Sequence, residues 1–287
     1  MIIIKLNRIP TGIQTFDTII RGGFPSGSLV LLAGDVGAGN TEFAYTCAVM
    51  HSRLKKNPEN LKAVNDQMRI LLQKDETLKF PEKICYISLA HTKEDILTEM
   101  GHTFPPDFAS SLSENMFFRE LSPNSMFHSN DQDWLSINSL KSVDEEREIM
   151  KELVNVLDAN ASNSLVIIDS LTSLFHTCNR FLNWNDSISF LEELQRKSKK
   201  WDGLVYLLLG KGIFESMKEE EMMDVADGAL VFEWVEESFS RQQAMYMKKF
   251  RGVMPHIARD FITRFDTMVT NTDGFVVTNV KRMFGRK

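Results

Sequence analysis

The stretch Gly34-Asp-Val-Gly-Ala-Gly-Asn-Thr41 combines residue types and spacing that can do chemistry. Before it, Ser28 to Ala33 is a short apolar run rich in strand formers. After it, from Glu42, a helical pattern begins with Phe43, Ala44, Cys47 and Ala48 on one face. A strand, a glycine loop and a helix in that order make a phosphate cradle, because backbone N–H groups and the positive end of the helix converge on one spot. The motif for such a loop is G-x-x-x-x-G-K-[ST]. Gly34, Gly39 and Thr41 fit it, Thr41 at the magnesium-ligand position, but position 40 is Asn rather than Lys.

The candidate nucleotide-binding set is therefore Gly34, Asp35, Val36, Gly37, Ala38, Gly39, Asn40, Thr41 and Glu42, without the motif's cation. Asn40 can donate a hydrogen bond but carries no charge, and a hydrogen bond to a charged group is worth about 1.5–3 kcal/mol. ATP or ADP with Mg is expected to bind weakly. Catalysis is expected to suffer more, since charge stabilisation is most of what a phosphoryl-transfer site contributes. Glu42 in the first helical turn suits the helix dipole yet repels a triphosphate. Two readings stay open: Glu42 takes the place of the anion, or nucleotide binds weakly with charge supplied elsewhere.

Ser164-Leu-Val-Ile-Ile-Asp169 is an apolar run ending in Asp, the Walker B pattern. Such an Asp binds the metal or orients a metal-bound water, which makes Thr41 and Asp169 the expected Mg pair. The alternative is that Asp169 serves the fold by hydrogen-bonding Thr41. Leu204 to Leu209 is another buried strand, followed by Gly210-Lys211-Gly212 at the functional edge of an open α/β sheet. Lys211 could restore the charge missing at Asn40, or be a surface lysine.

The elements that must position these residues follow. Ile84 to Leu89 reads as a buried strand, and Thr92 with Asp95 has capping-box spacing before a helix. Asp144 to Asp158 is amphipathic through Ile149, Leu153, Val156 and Leu157, and Ser187 to Lys200 is a helix with a basic last turn. Residues 52–82, with Leu54, Leu61, Val64, Met68, Leu71 and Leu72 at helical spacing between Pro58 and Pro81, read as a helical insertion. Residues 102–143 read as loop-rich, with a strand at Met116 to Leu121 and an excursion around Asp131 to Asn138. Beyond residue 226 the runs Ala229 to Phe232, Ala244 to Phe250, Phe261 to Phe265 and Gly274 to Val277 suggest an antiparallel extension, ending in a frayed basic tail from Lys281 to Lys287.

The 287 residues, 43% apolar, suit one large α/β domain covering 1–287. The net charge of −6 gives no basic surface that would advertise nucleic acid. Cys47, Cys85 and Cys178 are scattered without metal spacing and read as core thiols of a reducing cytoplasm. No run is long enough to span a membrane.

Thr11-Gly12-Ile13, Asp17, Gly22-Gly23, Pro25 and Gly27, leading into Ser28-Leu-Val-Leu-Leu, resemble the opening of the KaiC-like branch of the RecA-type ATPases. Asp169-Ser-Leu-Thr-Ser-Leu174, Ala226-Asp-Gly228 and Lys249-Phe-Arg-Gly252 resemble later segments of that family. Phe16 stands where the family usually has Leu. The resemblance covers residues 8–50 and 161–265 and is thin between 52 and 160. It implies a RecA-type, mainly parallel sheet with helices on both faces and an antiparallel C-terminal edge. Two adjacent glutamates commonly follow the second strand in this family, one activating the attacking water. Here those positions hold Ala90 and His91, leaving His91 and, one turn on, Glu94 as substitute candidates. In hexameric relatives the two cations of K-x-R-G reach a neighbouring subunit's phosphates, which gives Lys249 and Arg251 as trans-acting candidates, against charge pairing across strands. The expectation is a regulatory relative with a degenerate site, assembling with itself or an active paralogue. The alternatives are a slow ATPase with charge from Lys211 or a neighbour's Lys249 and Arg251, and a recombination-type DNA-binding motor.

Overall fold

The computed structural model describes residues 6–72, 76–127, 142–237, 240–251, 253 and 262–282. The chain opens with β1 (Leu6–Ile9), α1 (Gln14–Ile19) and β2 (Phe24–Pro25), then β3 (Ser28–Gly34), α2 (Asn40–Lys56), α3 (Pro58–Arg69) and β4 (Glu76–Leu78). There follow β5 (Lys83–Ser88), α4 (Lys93–Thr103), α5 (Pro106–Asn115), β6 (Met116–Glu120), α6 (Pro123–Phe127), α7 (Val143–Asn160) and β7 (Ser164–Asp169). The last part holds α8 (Leu171–Thr177), α9 (Trp184–Trp201), β8 (Leu204–Gly210), α10 (Ser216–Val225), β9 (Gly228–Glu237), β10 (Ser240–Phe250), β11 (Ile262–Thr270) and β12 (Gly274–Arg282).

Among the described residues a nine-stranded sheet runs in the order β12-β11-β10-β9-β3-β8-β7-β5-β6. Strands β9, β3, β8, β7, β5 and β6 pair in parallel, and β9 to β12 pair antiparallel. This is the expected architecture: a mainly parallel sheet with an antiparallel C-terminal edge. The central strand β3 is buried along its whole length, which is why it reads as a continuous apolar run. Its side chains still alternate. Val30 and Leu32 join Phe43, Ala44 and Cys47 of α2 on one face, while Leu29, Leu31 and Ala33 join Leu153, Leu191 and Met222 of α7, α9 and α10 on the other.

The family-like opening has a packing explanation. Asp17 is fully buried and accepts hydrogen bonds from the Thr11 amide, the Thr11 hydroxyl and the Gly12 amide, all at 2.8 Å, closing the turn before α1. Phe16 fills the core edge-on to Phe24, Phe43 and Phe265, so the larger ring replaces leucine without leaving the interior. Asp227, also buried, accepts from the Leu29 amide at 2.9 Å and from Gln195 at 2.8 Å, and pairs with Lys199. It ties the start of β9 to β3 and α9. Gly228 beside it admits the Phe250 ring, which a Cβ would meet at 2.0 Å.

Several boundaries differ from the sequence reading. The helix after the phosphate loop begins at Asn40 rather than Glu42. The 52–82 stretch is not one inserted helix. Its first residues, through Lys56, continue α2, Pro58 opens α3, and Glu76–Leu78 is a strand pairing with β1. The short extended run was hidden among polar residues, and its anchor is long-range: the buried Glu76 carboxylate bonds Arg8 at 2.7 Å. Within the 102–143 stretch, α5 and α6 stand where Pro and Ser suggested loop. Pro106 and Pro123 are the first residues of their helices, where a missing N–H costs nothing, and Pro105 is the N-cap of α5. The strand at 116 is present, and the excursion at 131–138 lies outside the described residues. Lys281 and Arg282 belong to β12, where Lys281 lies 3.5 Å from Asp266, rather than to a frayed tail.

The capping box at Thr92 and Asp95 is present in both directions. It fixes α4 directly after His91. Thr92→Ala is expected to lower stability by about 1 kcal/mol in urea titration, the usual cost of an N-cap.

Candidate functional site

Strand β3 ends at Gly34 and α2 starts at Asn40, so the loop between them lies at the C-terminal edge of the parallel strands. Gly37 and Gly39 hold φ of 71° and 102°, conformations that favour glycine, and Gly39 is the residue that turns the chain into the helix. The first amides of α2 have no partner within the helix and no side-chain cap. In backbone, this is a cradle that fits a phosphate.

Its side chains fit less well. Asn40 folds back under the strand end, with Nδ2 3.4 Å from the Leu32 carbonyl and Cγ 2.5 Å from where a Gly34 Cβ would stand. No cation from position 40 enters the cradle. Burial raises the pKa of Glu42, against the pull of its own amide, and the nearby Glu99 raises it further. Lys211 stands beside the loop, paired with acids. Its amide donates to the Gly34 carbonyl at 2.9 Å, while its ammonium bonds Glu233 and lies 3.7 Å from Asp35. Burial works against that ammonium, and the two carboxylates outweigh it, raising its pKa.

Asp169 ends β7, level with Ser88 of β5. The Tyr86 hydroxyl donates to its carboxylate, and the Tyr45 and Tyr86 hydroxyls lie 3.5 Å apart. The alternative of an Asp169–Thr41 hydrogen bond is thus corrected: the partner is Tyr86, buried in the strand beside it. Burial raises the pKa of Asp169, while Tyr86 and the nearby His91 lower it. Burial likewise pushes both tyrosines up, so each hydroxyl keeps its proton. Thr41 and Asp169 remain the residues that would hold Mg.

His91 is exposed in the turn after β5, where the Ser88 hydroxyl accepts its amide at 2.9 Å and that of Ala90 at 3.4 Å. The structure thus brings His91 near Asp169 but leaves Glu94 exposed on the first turn of α4. Lys249 lies opposite Ala229, which pairs with Leu31, whereas the loop starts at Gly34, level with Phe232. That register sets Lys249 roughly 10 Å down the sheet from this chain's own loop, at about 3.3 Å per residue. Its ammonium bonds the Met223 and Asp224 carbonyls at the end of α10 and pairs with the Asp224 carboxylate at 3.2 Å, an acid of the helix rather than of a neighbouring strand. Arg251 is exposed one residue past β10.

Residues 9–57 match a family model described as "ATPase: KaiC". The fold aligns with the KaiC-like protein PH0186 from Pyrococcus horikoshii OT3, at TM-score 0.61 and 20% identity, over 96% of this chain and 100% of that one. The opening segment is thus similar to that family model, and the fold to that of a KaiC-like protein. The flagellar accessory protein FlaH from Methanocaldococcus jannaschii also aligns, at TM-score 0.61 and 13% identity, over 93% of this chain and 96% of that one. No curated protein matches the sequence.

The glycine loop has neighbours that the motif does not contain. The Trp234 indole donates to the Val36 carbonyl at 3.0 Å, and the Gln243 amide donates to the Gly37 carbonyl at 2.9 Å. Arg241 stacks on the indole, its guanidinium carbon 4.6 Å from a ring centroid. Sequence reading missed these residues and Tyr86 because each sits inside a run that reads only as strand. For Tyr86 the available signal was a polar-tipped aromatic amid apolar residues, a type that usually finds a partner when buried.

Proposed function

We propose that this chain is a KaiC-like regulatory protein with a degenerate nucleotide site. It binds Mg-ATP or Mg-ADP weakly or not at all, hydrolyses little, and acts by assembling with itself or with an active paralogue. The observation that carries this reading is Asn40, uncharged and folded back onto Leu32, in a loop whose backbone keeps the cradle's form. The absence of acidic residues at positions 90 and 91 supports it independently.

The second reading is a slow ATPase whose charge comes from a neighbouring copy. The placement of Lys249 and Arg251 away from their own loop, with Arg251 exposed, favours it. Calorimetric titration of Mg-ATP, with mass by light scattering on the same sample, tests both. The first reading expects a dissociation constant in the micromolar-to-millimolar range or weaker, about −8 to −4 kcal/mol. Robust phosphate release by the unmodified protein sinks it and supports the second.

A further inference from the structure

Two directly opposed residues of the antiparallel edge, Trp234 on β9 and Gln243 on β10, form a cross-strand pair. Being opposite one another, they project from the same face of the sheet. Their donors end on consecutive carbonyls of the phosphate loop, Val36 and Gly37. A trans peptide unit points its C=O and its N–H in opposite directions. A donor holding the Val36 carbonyl therefore aims the Gly37 N–H away from the antiparallel edge, and one holding the Gly37 carbonyl does the same to the Ala38 N–H. The Gly37 amide belongs to the stretch that would face an anion, while the Ala38 N–H closes the turn onto the Asp35 carbonyl at 3.0 Å.

The rest of the loop is tied to the same strands. The Asp35 amide donates to the Phe232 carbonyl at 3.0 Å, and Lys211 links Asp35 to Glu233. Gly37 Cα carries no Cβ, and one placed there would touch the Trp234 ring at 4.0 Å. Beneath the next turn, a Gly39 Cβ would come within 3.9 Å of Gln243 Nε2 and 3.0 Å of the Phe275 ring. Val36 at the tip is 98% exposed, so its own side chain does not anchor the loop. Backbone carbonyls gripped from β9 and β10 do.

We propose that Trp234 and Gln243 are positioning residues that preorganise the backbone of loop 35–39, the Gly37 amide above all, in a site whose usual lysine is absent. The proposal rests on reading this loop as a nucleotide cradle. It assigns to the antiparallel edge a direct part in setting nucleotide affinity.

The test uses the full-length protein with Trp234→Phe, which keeps a ring and removes the N–H, and Gln243→Met, which keeps length and removes the donor. Two readouts are taken. The first is amide hydrogen exchange of peptides spanning 34–42 without nucleotide, with short labelling times. The second is calorimetric ADP affinity with Mg. Each substitution is expected to speed loop exchange and weaken ADP binding by about fivefold, the loss of one net hydrogen bond, while exchange in β7 and β8 stays unchanged. Unchanged exchange in the loop, or faster exchange with unaltered affinity, overturns the positioning role. Absence of ADP binding to the unsubstituted protein overturns the nucleotide reading instead. In that case the exchange arm alone decides whether the pair sets the loop's conformation.

Discussion

Asn40→Lys is expected to tighten Mg-ATP binding roughly ten- to a hundredfold, the worth of about 1.5–3 kcal/mol for a hydrogen bond to a charged group. Little opposes the change locally. The bond that Asn40 gives up, to Leu32 at 3.4 Å, is at the long end for N–H···O and sits under the strand. The loop itself is held by Lys211, Trp234 and Gln243 rather than by Asn40, so its backbone should survive the substitution. Calorimetry reads the gain directly. If affinity does not move, the obstacle is Glu42, whose acid stands on the first turn of α2 with Glu99 nearby. In that case Asn40→Lys with Glu42→Gln should bind where the single variant does not. If neither binds, the cradle does not serve a nucleotide.

Much of this site could be read along the chain because its logic is local. The order strand, glycine loop, helix is visible from Ser28 to Ala48, and Gly37 and Gly39 are of the type that admits the positive φ found there. The alternation of Leu29 and Leu31 against Val30 and Leu32 was not visible as a pattern, since both faces of β3 are covered and every position is apolar. What escaped altogether was long-range pairing. Lys211 and Glu233 stand 22 residues apart, Tyr86 and Asp169 83, and Trp234 and Val36 198. Nothing in the spacing of these residues says that they meet. Lys211 was legible as a cation at the right sheet edge, but its commitment to Glu233 and Asp35 depends on how β8 and β9 flank β3. The resemblance in residues 8–27 was easiest to see because tight packing fixes residue type there: Asp17 gathers three donors, and a Cβ at Gly23 would strike the Ile9 carbonyl at 2.1 Å.

Hydrolysis is expected to need a second repair, and the larger one. Adding Ala90→Glu and His91→Glu to Asn40→Lys should raise phosphate release by roughly a hundred- to ten-thousandfold over Asn40→Lys alone, the usual range for a positioned general base. The geometry allows it. Ser88 pairs in register with Asp169, and its hydroxyl holds the amides of residues 90 and 91, so side chains in this turn stand beside the proposed Mg pair. Both positions are exposed, so new carboxylates meet little steric resistance. The electrostatics will change with them. His91 now lowers the pKa of Asp169 against the raising effect of burial. Replacing it by an acid removes that help and adds like charge. Asp169 should then take up a proton at higher pH than before unless a divalent cation is present, so the gain in turnover should depend steeply on Mg. Phosphate release measured across Mg concentrations and pH separates the contributions. If Asn40→Lys alone hydrolyses as fast as the triple variant, the glutamate positions are not what limits this site, and Tyr86 and His91 around Asp169 become the groups to test.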